Sequence, residues 1–438
     1  MLQQKQSLEQ NKIKLIGDTL VLQDRKEFIV YAPFNSLIAR IDKYPEVGSG
    51  LYNGLVAHGF FSSLPKSTRQ DSNWQGFNSL TLLLTRNCNL RCIYCYASAG
   101  SEKASMPIDL AIGSLEWFVK HFNPPKLRIT FHGGGEPTLE EELIKAVIGK
   151  ASEIKGDRSV QYLVTTNGTA PKSFVDWLMK NKFAISISMD GPPETQDQNR
   201  PFKNGLGSSA VVEQNIRYLV SRNYPFTVRV TYSASSDITK IVEYCAMLGI
   251  KSIHLEPLFP YGRNYDSVDF GQSSKYEIYS PIGAELVQEF VRALEVSKRY
   301  GIRVYNSHLM HFTKGVGYFC GGACGRAMIV THDGLLTGCL EVVDRKDKDI
   351  VHFKIGQWVN SSRAFEIDHG KISLLQKRHA DELSGCQKCF ARYTCAGGCA
   401  VKAVRSTGDF FNKDVSYCKF TRSIIPILVK RIAQESKI

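Results

Sequence analysis

The sequence predicts an α/β fold: six parallel strands with helical crossovers, a cysteine-rich region behind them and a small α+β segment in front. Three observations carry this. Between about residues 79 and 260, apolar strand-like runs alternate with helical runs, the pattern of a parallel sheet covered by helices. Several of those strands run into a glycine-containing turn. The twelve cysteines are clustered: Cys88, Cys92 and Cys95 sit together, eight more lie between Cys320 and Cys418, and Cys245 stands apart.

The elements follow in order. In the first segment, DTLVLQDRKEFIVYAP alternates loosely and predicts two short strands. NSLIARIDKY carries apolar residues at helical spacing, and LYNGLVAHGFF predicts another short helix. SSLPKSTRQDSNWQG is polar with breakers and predicts a linker. The expected strands are then SLTLLL, LRITFH, VQYLVTT, AISIS, FTVRVTYS and SIHLEP. Helices between them are expected at PIDLAIGSLEWFVKHF, where Pro107 suits a first turn, and at LEEELIKAVIGKASEI, PKSFVDWLMKN, SSAVVEQNIRYLVSR and TKIVEYCAMLG. A further helix is expected over 281–300 and a closing one at TRSIIPILVKRIAQES. The expected domains are residues 1–78, 79–315, 316–420 and a final helix, 421–438. In barrels built of β/α units, ligands gather at the C-terminal strand ends. The first cysteine cluster and the GGGEP, TTNGT and ISMDG turns all follow such ends.

Composition sets the bounds. The 438 residues leave room for roughly three units, and 43% apolar with 22% charged residues is ordinary globular usage. No apolar run approaches the roughly 20 residues of a membrane span, and the polar start MLQQKQSLEQNK lacks a signal-peptide core. A cytoplasmic location with no membrane partner is the expectation. A long chain of this kind favours metal ligation over a disulfide framework for its thiols. The formal net charge of +13 suits an acidic partner, or is a solvated basic surface, since Lys and Arg form no long run.

The spacing Cys88-x3-Cys92-x2-Cys95 can hold three irons of a cubane [4Fe–4S] cluster and leave the fourth open. Zinc is the competing reading, although four-ligand structural zinc usually draws on two separated pairs. This segment, CNLRCIYCY, resembles the signature of the radical S-adenosylmethionine (radical SAM) superfamily. The resemblance implies a partial (β/α)6 barrel whose open iron chelates the amino and carboxylate groups of S-adenosylmethionine, with reductive cleavage to a 5′-deoxyadenosyl radical that abstracts hydrogen from substrate. GGGEP, with Gly133, Gly134, Gly135 and Glu136, resembles the motif that holds the cofactor's amino group. By the same resemblance Tyr94 and Leu255 would meet the adenine, Ser188 the ribose and Arg200 the carboxylate. Asn167, in TTNGT, is a lesser candidate that shapes a turn.

The later cysteines resemble a SPASM domain: Cys324-x9-Gly334-x4-Cys339, then Cys386-x2-Cys389-x5-Cys395-x3-Cys399, then Cys418. This implies two auxiliary [4Fe–4S] clusters, one on Cys320, Cys324, Cys339 and Cys399, the other on Cys386, Cys389, Cys395 and Cys418, and so three clusters in all. Two four-cysteine zinc sites remain the alternative on spacing alone. SPASM relatives mostly modify peptides or proteins. The expected function is therefore a maturase that installs a crosslink, thioether or epimer in a ribosomally made peptide. A sulfatase-type (formylglycine) or other enzyme maturase is the alternative, and a zinc-ribbon nucleic-acid-binding protein the remote one. The sulfatase branch carries an aspartate base directly after the third cysteine of the first auxiliary set. Here that position is Leu340, which leaves Glu341 as the candidate base. Expected partners are a precursor peptide or protein and an electron donor such as flavodoxin or ferredoxin. Nucleic acid is not among them. The first 60 residues resemble a reduced leader-binding module, in which a peptide adds a strand to a sheet edge.

Overall fold

All six expected strands form, and they lie side by side in chain order. The structure, a computed structural model, describes residues 13–61, 74–233, 236–258, 284–306, 309, 311, 312 and 315–435. The expected linker lies, as far as residue 73, outside the described residues, as do residues 281–283 of the helix expected over 281–300. The chain divides into two compact units: residues 1–73, 307–319 and 377–438 form one, and residues 74–306 and 320–376 the other. This division cuts through the expected 316–420 segment.

The first unit opens with an antiparallel sheet in the order β1 (Ile13–Ile16), β2 (Thr19–Asp24), β3 (Glu27–Ala32), β4 (Leu37–Ile41). The helix expected at NSLIARIDKY is corrected here, because Leu37–Ile41 pairs with β3 as a strand. Its apolar residues fit either period, and the run is too short for periodicity to decide. The helix α1 (Gly50–Ala57) is capped by Ser49 Oγ accepting from Tyr52 N–H. Val21, Val30 and Ala32 pack with Leu55 of α1 on one face of the sheet. Leu20, Leu22, Ile29 and Tyr31 pack on the other with Ile425, Val429 and Ala433 near the chain's end.

In the second unit an eleven-stranded sheet runs β11-β10-β9-β8-β7-β6-β5-β12-β13-β14-β15. Its strands are β5 (Ser79–Leu83), β6 (Lys126–His132), β7 (Ser159–Thr166), β8 (Ala184–Ser188), β9 (Phe226–Tyr232), β10 (Ser252–Pro257), β11 (Arg303–Asn306), β12 (Ala327–Thr331), β13 (Leu335–Thr337), β14 (Lys354–Val359) and β15 (Ala364–Ile367). Every pairing from β11 through β5 to β12 is parallel. The remainder is an antiparallel meander, unread in the sequence because its strands are short and glycine-punctuated. The crossover helices are α2 (Ile108–Phe122), α3 (Glu141–Ile154), α4 (Lys172–Lys180), α5 (Pro193–Asn199), α6 (Ser209–Ser221), α7 (Ile238–Met247) and α8 (Ala284–Arg299). The short α9 (Ile350–Phe353) and α10 (His369–Gln376) follow.

Two faces of this sheet can be told apart. A Cβ on Gly168 would meet both Ile187 of β8 and Val212 of α6, so Ile187 faces the helices. Its register partners Val228 and Ile253 do too, and so do Val230 and Leu255 two residues on. Their burial, each at 2% exposure or less, stabilises the layer by about 1.5–3 kcal/mol per side chain. The opposite face carries His132, Ser188, Arg229 and His254, the last three aligned in register. Leu83 on this face packs with Cys95, Tyr96, Ala97 and Val343, which puts the first cysteine loop there. We call it the site face.

The first unit is completed by α11 (Arg392–Cys395), α12 (Ala400–Thr407) and α13 (Val415–Glu435), the last packing on β3 and β4.

Candidate functional site

The loop after β5 is tied down by its own residues. Arg91 donates to the Cys88 and Leu90 carbonyls at 2.8 Å and to Gly100 O at 2.9 Å. Arg91 N–H and Ile93 N–H donate to Pro201 O and Asn199 O, and Lys203 N–H donates back to Asn89 O. Cys88, Cys92 and Cys95 are all partly buried. Burial, Glu136 and the neighbouring thiols push Cys88 up to about 12, and burial with Cys95 and Asp190 pushes Cys92 up to about 11 against the pull of Arg200. A thiol so placed becomes a thiolate only when a metal supplies the compensating charge.

The GGGEP turn lies against this loop. Gly135 N–H donates to Thr85 O and Glu136 N–H to Asn87 O, both at 2.7 Å. A Cβ on Gly135 would sit 2.0 Å from Asn87 O, so glycine is required for this approach. Gly134 faces Val343 and Arg86. Glu136, buried at 2% exposure, accepts from Thr138 N–H (3.0 Å), Thr138 Oγ1 and Thr166 Oγ1 (both 2.6 Å) and Asn167 N–H (2.6 Å). Its carboxylate thus braces the ends of β6 and β7. Burial raises its pKa against the pull of these donors. Asn167 continues the brace: its Nδ2 donates to Asn89 Oδ1 at 2.8 Å and lies 3.9 Å from Cys88 Sγ.

Tyr94, Asp190 and Arg200 form a buried network. Tyr94 O–H donates to Asp190 Oδ2, Arg200 donates to Asp190 Oδ1 at 3.0 Å and Thr231 Oγ1 at 3.3 Å, and the guanidinium lies 5.3 Å from the Tyr94 ring centre. Arg200 Nε is buried with no hydrogen-bond partner among the described residues. Ser188 is on the site face. Leu255 is fully buried on the helix-facing side, so its side chain is committed to the core and turned away from the site. Asp190 and Arg229 were not singled out from the sequence, and Asn167 was only a lesser candidate. Asp190 lay inside the quoted ISMDG turn, and Arg229 was legible as a charge alternating with valines in FTVRVTYS.

The later cysteines fall in both units. Cys320, Cys324 and Cys339 belong to the second, where Gly322 packs directly on Gly338 (a Cβ there would be 2.4 Å from Gly338 O) and so joins the two loops. Glu341 N–H lies 3.4 Å from Cys339 Sγ, and burial pushes Tyr96 up, with the Glu341 carboxylate, Cys95 and Cys339 adding to it. Leu340 is exposed. Cys399 belongs to the first unit with Cys386, Cys389, Cys395 and Cys418. Cys386, Cys389 and Cys418 each act to raise Cys395, whose burial is the largest cause, and Cys418, up at about 12, feels Cys386 and Cys389 in turn. These four thiols are therefore mutual neighbours. Among the described residues no three His, Cys, Asp or Glu side chains converge as on a single ion. A cubane asks less convergence, since each thiolate takes its own iron. Cys245 is fully buried and pushed up to about 12 by burial alone.

A family model described as Radical SAM superfamily matches residues 82–234. An uncharacterised protein of Methanocaldococcus jannaschii is 31% identical over 42% of this chain and 64% of its own length, so the chain spans less than two thirds of that relative. A cysteine-type anaerobic sulfatase-maturating enzyme of Clostridium perfringens is 26% identical over 73% of this chain and 88% of that protein. The structure of Streptococcus suis SuiB bound to precursor peptide SuiA shares the fold with a TM-score of 0.53 at 14% identity, covering 92% of this chain and 99% of that one.

Proposed function

We propose that this chain, a member of the radical SAM superfamily through residues 82–234, is a maturase that modifies a peptide or protein substrate. The family implies a [4Fe–4S] cluster and S-adenosylmethionine; when bound, they supply a 5′-deoxyadenosyl radical for hydrogen abstraction. Cys88, Cys92 and Cys95 are the ligands we assign to that cluster. The observation that carries the reading is their placement: three partly buried thiols on one braced loop, on the site face at the C-terminal strand ends, directly against GGGEP. Arg200, with an unsatisfied buried Nε, and Ser188 suit the polar parts of the cofactor, and Tyr94 suits its adenine.

Two auxiliary clusters complete the proposal, on the cysteine sets given above. The mutual neighbourhood of Cys386, Cys389, Cys395 and Cys418 supports the second set. Glu341 is the proton acceptor we favour, being half-buried beside Tyr96 and Cys339. The substrate reading rests on the likeness to SuiB, whose structure holds a precursor peptide, and to a sulfatase-maturating enzyme. A ribosomally made peptide is favoured over a sulfatase because Leu340, which has no group to accept a proton, stands where the sulfatase branch has its aspartate. The edge strands β1 and β4 offer a leader peptide backbone groups to pair with, and the +13 charge suits an acidic leader. A flavodoxin or ferredoxin is the electron donor we expect.

Metal analysis tests this. Anaerobically reconstituted protein should carry about twelve irons per chain, four in each of three cubanes. Zinc in their place would refute the reading.

A further inference from the structure

The site face holds a cation that no carboxylate among the described residues neutralises. Arg229 is half-buried on β9, in register with Ser188 on one side and His254 on the other. Its hydrogen-bond partner among the described residues is His254 Nδ1, at 3.4 Å. An imidazole offers no negative charge in either protonation state, so it cannot offset the guanidinium. The Glu256 carboxylate lies 3.4 Å from the other ring nitrogen of His254. His132 is held neutral by burial, helped by the same guanidinium. Arg200 presents the opposite case, with its charge already compensated by Asp190 at 3.0 Å. The side chain is half-buried, and the fork of N–H donors that a guanidinium presents matches the geometry of a carboxylate.

We propose that Arg229 binds a ligand carboxylate on the site face. The proposal rests on the functional reading above for what that ligand is: an acidic group of the peptide substrate. Arg229 is then a binding residue that selects for negative charge at the position where the substrate is presented.

Equilibrium dialysis of the anaerobically reconstituted holoenzyme tests this. The probes are S-adenosylmethionine alone, then N-acetylglutamate and its neutral isostere N-acetylglutamine in the presence of saturating S-adenosylmethionine. Wild-type affinity for S-adenosylmethionine tests the functional reading separately. The expected result is that wild type prefers N-acetylglutamate by about tenfold or more, that Arg229→Gln erases the preference, and that Arg229→Lys keeps part of it. A loss of similar size in S-adenosylmethionine affinity instead assigns Arg229 to the cofactor and overturns the proposal. Iron content and melting temperature, expected to match wild type, show that the variants fold. If wild type shows no preference between the isosteres, or Arg229→Gln retains it, the proposal is likewise overturned.

Discussion

Three side chains act well beyond their own positions. Arg378 is 2% exposed and donates to the carbonyls of Phe410, Gly398, Gly397 and Asn412 at 2.7–3.3 Å. It ties together the turn after Cys395 and the approach to Cys418. Removing it orphans several buried carbonyls, so Arg378→Ala should cost about 3 kcal/mol in urea unfolding; an unchanged midpoint would contradict that role. Glu136 is surrounded by donors only, and in Glu136→Gln an amide N–H₂ would face some of them. That variant should lose about 2 kcal/mol and release amide protection at Asn167, read by hydrogen exchange. His132 sets a pH dependence. Burial, helped by Arg229, holds it down at about 4 against an ordinary 6.5. Between those values the unfolded chain binds a proton that the folded chain refuses. Stability should therefore fall as pH drops from 6.5 towards 4, and be unaffected by this group above 6.5. In His132→Asn the difference between urea midpoints at about pH 7 and about pH 4.5 should shrink, and an identical difference would contradict it. At this scale motif-bound residues such as Tyr94, Ser188 and Arg200 were legible in the sequence. Asn167 and Asp190 were not fully so, because the groups that give them a role, Glu136 with Asn89 and Thr231 with Arg200, come from other strands and loops.

The elements were legible wherever the pattern was long. The six core strands and their crossovers each supply a run with one clear period, and all formed in the expected order. Leu37–Ile41 failed because a short run of mixed apolar pattern fits a helix and a strand equally, and only pairing with β3 decides. The β12–β15 meander failed because its strands are short and partner each other rather than a helix. Leu255 shows how strand parity matters: one residue of shift along β10 exchanges the helix layer for the site face, where His254 and Glu256 stand. Around the later cysteines, long apolar segments are few, so metal ligation should act as the staple. Chelation of iron is expected to make residues 316–420 sensitive to protease, and undiminished resistance would contradict this.

At the scale of the molecule, the sequence suggested consecutive domains, whereas the first unit joins both ends of the chain. Leu20, Leu22, Ile29 and Tyr31 are buried with Ile425, Val429 and Ala433, a pairing that no local pattern reveals. Truncation before Val415 should therefore expose β2 and β3 to hydrogen exchange, while β6 to β9 of the second unit stay protected. No helix among the described residues is long and apolar enough to cross a membrane. The central claim is that Cys88, Cys92 and Cys95 hold the cluster at which S-adenosylmethionine is cleaved. The most direct test is 5′-deoxyadenosine formation after anaerobic reconstitution, reduction and addition of S-adenosylmethionine. Wild type should form it and the triple alanine variant of these cysteines should not; formation by the variant, or none by wild type, would contradict the account.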